Sequence, residues 1–195
     1  MFKDQNTYMK KKLLLLALLG ISKLTNAQEA KVEKSVFGIQ TGVLGLWVHN
    51  ESRLADKFVL RTELGFDAGI WANSFYDQTG FLMAPVFVVE PKYYYNMAKR
   101  LEKGRSVSDN AANYLSIKTS YHPDWFVVSN YDNINVISDI SVIPSWGIRR
   151  NLGKHFNYEL GLGLGVRYIF AKQAGYVKNE IDLASNTSFK IGYKF

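Results

Sequence analysis

The chain has 195 residues and no cysteine; 47% of its residues are hydrophobic, 14% are aromatic and its net charge is +7. That length suits one domain or at most two small ones, the apolar content excludes disorder, and the missing cysteines exclude a disulfide scaffold. A basic nucleic-acid-binding surface is excluded by where the charge lies: Lys3, Lys10, Lys11, Lys12 and Lys23 face Asp4 alone within the first 27 residues, so more than half of the net charge sits there.

Those first 27 residues have the three parts of a secretory signal. Lys10, Lys11 and Lys12 form a positive region, residues 13–21 are an apolar run of nine, and Thr25-Asn26-Ala27 offers a small residue at the cleavage point. Nine residues cover about 14 Å as helix, too little for a hydrocarbon core of about 30 Å. Cleavage is expected after Ala27, followed by a short polar lead over 28–34 and one domain over 35–195. No later segment approaches 18 uninterrupted apolar residues, so any membrane crossing there uses another geometry than a helix.

From residue 35 onward the chain reads repeatedly with period two, the spacing of opposite strand faces. Strands are expected at 35–48, 58–70, 84–97, 113–121, 135–149, 156–170 and 181–195. In 58–70, Phe58, Leu60, Leu64, Phe66 and Ile70 share one face; Arg61, Glu63 and Asp67 share the other. Pro85 and Pro91 predict a bulge in 84–97, because proline cannot donate to a ladder; Glu90 and Lys92 lie there as well. Residues 113–121 set Leu115, Ile117 and Tyr121 against Ser116 and Lys118, and 135–149 set Val142, Trp146 and Ile148 against Asp139, Ser141, Ser145 and Arg149. From residue 156 the rule is strictest: Phe156, Tyr158, Leu160, Leu162, Leu164, Val166, Tyr168 and Phe170 alternate with glycines, Glu159 and Arg167. The last stretch places Phe189, Ile191, Tyr193 and Phe195 opposite Lys190 and Lys194.

A soluble β-sandwich or a lipocalin-like barrel also alternates, with its polar face outside. Here the polar face carries charges of both signs among glycines, and the apolar face is bracketed by aromatics. That pattern predicts an all-β, up-and-down antiparallel transmembrane barrel of eight strands, with a lipid-facing band and a crowded polar lumen. The expected lumen charge network is Arg61, Glu63, Asp67, Glu90, Lys92, Lys118, Asp139, Glu159, Arg167 and Lys190. The expected membrane girdle is Phe156, Tyr158, Tyr168, Phe170, Tyr193 and Phe195. Five cations against five anions in so narrow a barrel read as a charge-paired plug, with a narrow ion path as the sharper alternative. Seven strands are visible, and bacterial barrels have even numbers; the eighth is expected at 125–130 after a turn at His122-Pro123-Asp124, or else in or before 31–37.

The leader ending Asn26-Ala27-Gln28, the girdled alternation and the final Phe189-Lys190-Ile191-Gly192-Tyr193-Lys194-Phe195 resemble the small outer-membrane β-barrel proteins of Gram-negative bacteria, of the eight-stranded OmpA/OmpX-like kind. The resemblance covers about 35–195. It implies outer-membrane lipid and lipopolysaccharide as surroundings, and an assembly signal at Phe189, Ile191, Tyr193 and Phe195 for the outer-membrane assembly machinery. It implies no particular activity. A monomer without cofactor, metal or nucleic acid is expected.

Signals for chemistry are few. His49, His122 and His155 show no metal-ligand spacing, and the period-two glycines of 161–165 are not a nucleotide loop. His122 with Asp124, near Ser120 or Ser129, is the one acid/base candidate, on the pattern of a lipid-modifying enzyme; His-Pro-Asp equally makes a turn. Two connections stand out. Residues 96–112 hold Lys99, Arg100, Glu102, Lys103 and Arg105 on a helical turn or two ending at Gly104, read either as a solvated loop or as a contact for anionic headgroups, including lipopolysaccharide phosphates. Residues 71–81 and 121–133 are rich in aromatics, as an interfacial belt or as a binding surface for a partner or glycan.

Overall fold

A computed structural model describes residues 30–71 and 79–195; the expected leader, and Phe75 and Tyr76 of the first aromatic connection, lie outside the described residues. Among the described residues nine strands form: β1 (Ser35–Gly42), β2 (Gly45–Ala55), β3 (Phe58–Trp71), β4 (Gly80–Tyr94), β5 (Asn113–His122), β6 (Val128–Ser129), β7 (Asp139–Leu152), β8 (Phe156–Ile169) and β9 (Glu180–Lys194). One short helix, α1 (Met97–Glu102), lies between β4 and β5. The strands make a single antiparallel sheet. β9 returns to pair with β1 from Gly38↔Lys194 to Gly42↔Lys190, so eight strands close in a ring. β6 stands outside it, two residues laid on β4 through Leu82↔Ser129 and Met83↔Val128.

The eighth ring strand is in neither expected place. Residues 35–48 are not one strand but two, because Gly42↔Gly45 closes a tight hairpin around Val43 and Leu44. Gly45 has φ +147°, a conformation that favours glycine. The two apolar turn residues prolong the hydrophobic run and hide the reversal from a periodicity argument. The expected strand at 125–130 shrinks to β6, and the strand expected from 135 begins at Asp139.

The expected bulge in β4 is also absent. Its register with β3 runs unbroken from Phe58↔Tyr93 to Trp71↔Gly80. Pro91 instead falls where the β4–β5 ladder has no pair, and Pro85 lies beyond the last β4–β5 pair at Phe87. Pro144 likewise falls where the β7–β8 ladder skips Ile143 and Pro144. A gap in the ladder accommodates the missing N–H without an extra residue. The β2–β3 ladder does shift register, between Arg53 and Ala55 in β2.

Ser35 and Lys194 lie at the same end of the ring, called proximal here. Residues 95–112 fold across that end. Met97-Ala98-Lys99-Arg100-Leu101-Glu102 are mostly strong helix formers, and the turn stops at Gly104 (φ +64°), whose N–H reaches the Leu101 carbonyl at 2.8 Å. Met97, Val107 and Ala112 pack with Val32, Val59, Tyr94 and Tyr114 into a small apolar cluster. This segment is therefore a proximal cap on the ring, buried at Met97, Val107 and 110–112 and solvated at Ala98, Lys99 and 102–106.

The wall itself is inverted relative to a water-soluble fold. Outward positions on every ring strand carry exposed large apolar side chains: Phe37 and Ile39, Leu46 and Val48, Leu64 and Ile70, Phe87 and Val89, Leu115 and Ile117, Val142 and Trp146, Leu160 to Val166 at every second position, and Phe189 and Ile191. Arg61, Glu51, Lys92 and Arg149 are fully buried. No helix among the described residues is long and apolar enough to cross a membrane.

Candidate functional site

The inward rows of all eight ring strands converge on a core of ions. Arg61 on β3 is its centre, with Nη1 donating to Glu51 at 3.1 Å and to Glu159 at 3.2 Å; its guanidinium also meets Glu63 and Gln40. Lys92 on β4 pairs with Glu51 at 3.3 Å and Glu159 at 2.5 Å, and lies 3.6 Å from Glu90. Arg149 on β7 is 3.0 Å from Glu51, and Lys190 on β9 is 3.0 Å from Glu63. Neutral donors complete the set: Tyr94 and Asn110 donate to Glu51 at 3.0 and 2.7 Å, Tyr114 to Glu159 at 2.6 Å, and Ser116 to Glu90 at 2.6 Å. Four cations thus face four carboxylates. Buried charges persist only when paired and hydrogen-bonded in this way.

Side chains pack closely in this layer at Gly192, where an added Cβ would lie 2.7 Å from Gln40 Cγ and 2.9 Å from Asn157 Oδ1. The proximal cap reaches the same layer. Asn110 adopts φ +60°, which asparagine tolerates better than most residues, and so brings its amide to Glu51. Asp109 beside it pairs with Lys194.

Of the ten expected network residues, Arg61, Glu63, Glu90, Lys92, Glu159 and Lys190 meet in this core. Asp139 is buried but lies higher, towards the distal end. Asp67 and Lys118 are half-buried there and border a cavity of about 610 Å³ with Trp47, Asn186 and Lys190. Arg167 is not in the network: it pairs across the wall with Asp182 at 3.4 Å, and both side chains are wet. Its register partner carries the opposite charge near the strand end, which holds it at the rim. The sequence reading missed Glu51, Arg149, Gln40, Tyr94, Tyr114 and Asn110. Carrying the row Glu90–Lys92 two residues on would have found Tyr94, and Arg149 lay on an assigned polar face.

The expected girdle residues Phe156, Tyr158, Tyr168, Phe170, Tyr193 and Phe195 all lie on the outer side. Tyr193 meets Phe156 and Phe195 edge-on at 5.5 and 5.3 Å, and Tyr168 meets Phe170 at 5.2 Å. Phe189 and Ile191 continue the outward row of β9.

His122 does not pair with Asp124. It ends β5 facing inward, and its ring nitrogens lie 3.1 Å from Asp139 and 3.1 Å from Asp67, whereas Asp124 follows Pro123 onto the exposed side. Ser129 donates to the Phe81 carbonyl at 2.8 Å instead. A histidine held by two carboxylates has no ring nitrogen left for a serine in this arrangement. No group of three or more candidate ligands for a metal ion occurs among the described residues.

A second cleft, of about 490 Å³, lies outside the ring at the proximal end, lined by Tyr95, Asn96, Lys99, Arg100, Lys103, Arg105, Asn113 and Arg150. Arg100 donates to the Ser106 carbonyl at 3.0 Å, and Arg150 donates to the Arg149 carbonyl at 2.7 Å. Partial burial, and then Arg105 beside it, holds the Arg100 guanidinium below its ordinary value.

Searches against protein-family models, curated proteins and solved structures return no match for this chain.

Proposed function

We propose that the protein is an integral outer-membrane β-barrel with a closed, charge-paired lumen, whose role is structural or exercised through its loops, and which is not an enzyme. The carrying observation is the inversion of polarity: large apolar side chains look outward on every ring strand while Arg61, Lys92, Arg149, Glu51 and Glu159 are buried within. Monomeric soluble proteins keep contiguous apolar patches to about 300–600 Å²; a belt around all eight strands belongs against acyl chains. Seven of the eight ring strands have 10–15 residues, enough for a tilted crossing of about 9–11.

Outer-membrane lipid and lipopolysaccharide are the proposed surroundings, the assembly machinery the route of entry, and a monomer the working unit. The proposal is tested on detergent-extracted membranes by comparing unboiled and boiled samples on a gel. The expected result is a mobility shift on boiling, with the wall protected from added protease. Recovery from the soluble periplasm without detergent would overturn the proposal in favour of a lipocalin-like carrier.

The same reading makes His122 a brace between β3, β5 and β7. Replacing it, His122→Ala, is expected to leave the acyl composition of membrane phospholipid and lipopolysaccharide unchanged, as read by mass spectrometry of extracted lipid. A changed acyl pattern would favour a lipid-modifying enzyme instead.

A further inference from the structure

The cleft at the proximal end is lined by five basic side chains and no acidic one. Lys99, Arg100, Lys103 and Arg105 come from α1 and the segment after it, and Arg150 comes from β7. None of these five belongs to an ion pair among the described residues. Glu102, the one acid of α1, is exposed and does not line the cleft. Five cations held together without a carboxylate repel one another, an arrangement that an anion would relieve. Asn96 and Asn113 add amides to the wall of the cleft.

Its position identifies the anion's source. Tyr95 lines the cleft, and its hydroxyl accepts from the indole N–H of Trp146 at 2.8 Å. Trp146 stands in the outward row of β7, between Leu115 on β5 and Leu162 on β8. Arg150 follows Trp146 and Ile148 on the same outward row and pairs with Tyr158, one row position from Phe156 at the proximal end of β8, so the cleft opens where the apolar band ends, beside aromatics of the kind that sit at headgroup level.

We propose that this cleft binds the phosphate of an anionic phospholipid in the leaflet facing the proximal end, with Arg100, Arg105 and Arg150 on the phosphate and Lys99 and Lys103 steering it. The proposal rests on the membrane reading above. Arginine forks match phosphate oxygens in pairs, and each cation near an anionic surface contributes about a fivefold preference.

The test inserts the full-length protein into nanodiscs of phosphatidylcholine doped with phosphatidylglycerol and counts retained lipid by native mass spectrometry. The expected result is selective retention of phosphatidylglycerol. Arg100→Gln with Arg105→Gln should lower it at least tenfold. Lys99→Gln with Lys103→Gln, which alters exposed side chains only, should lower it severalfold. Lys172→Gln with Lys178→Gln, on the β8–β9 connection at the other end, should leave it unchanged. Equal retention of the two lipids, retention unaffected by the cleft variants, or displacement of the lipid by inorganic phosphate alone would overturn the site. Every variant is checked for its heat-dependent mobility shift. If the wild-type protein shows none and does not enter the discs, the membrane reading falls and the site falls with it; inserted protein without lipid preference overturns the site alone.

Discussion

Replacing Glu51 by alanine is expected to destabilise the fold by about 3–5 kcal/mol, because it leaves buried cations without their shared counter-charge. Glu51 is fully buried and accepts from Arg61, Lys92, Tyr94 and Asn110, with Arg149 3.0 Å away. No other carboxylate of the core meets three cations and the proximal cap together. The loss is read as a lower urea midpoint for the protein refolded in lipid, and as a weaker heat-resistant band. The charge itself is isolated by a cycle with Arg149→Gln. If the layer is held by charge pairing, removing Arg149 after Glu51 costs far less than removing it alone, and the two effects are non-additive. Additive losses, or a change below about 1 kcal/mol for Glu51→Ala, would show that the core is packed and not ionically coupled.

The alternation that points to this fold is legible because strands have one period and one register per face. A one-residue slip would turn Leu160, Leu162 and Leu164 inward and Glu159 outward, so β8, β3 and β9 announce their orientation residue by residue. β2 does not. Its outward row, Leu46, Val48, Asn50 and Ser52, loses apolar character towards the proximal end just where Glu51 comes to lie on the inward row. The hairpin before it is masked by Val43 and Leu44. The central carboxylate therefore sat in what read as connection. The core as an assembly is less legible still, because Glu51 and Glu159 come together only when the ring closes, more than a hundred positions apart. Asn110 reaches Glu51 through a positive-φ turn that no periodicity marks. The basic segment around α1 was visible as composition, but its partner Arg150 belongs to a different strand, and only the fold makes the two a cleft.

What separates a lipid-facing wall from an exposed apolar surface in water is the response to charge as a function of depth. Leu162 is 56% exposed, lies midway along β8 and pairs with Trp146 and Thr187. In a water-soluble protein, arginine at such a position shifts stability by no more than about 0.5 kcal/mol, since the side chain is simply hydrated. At the centre of a bilayer the same change costs about 2–4 kcal/mol, falling to about 0–1 near the interfaces. The expected profile is therefore peaked: Leu162→Arg loses most, Leu160→Arg and Leu164→Arg somewhat less, and Phe156→Arg, at the start of β8 among the girdle aromatics, least. The measurement is the unfolding free energy of each variant in vesicles of one lipid, from matched denaturant titrations. Because all four positions lie on one outward row, propensity and strand pairing vary little between them, and depth is the variable that remains. A flat profile near zero would place the row in water, and the rows of apolar side chains on the other strands with it.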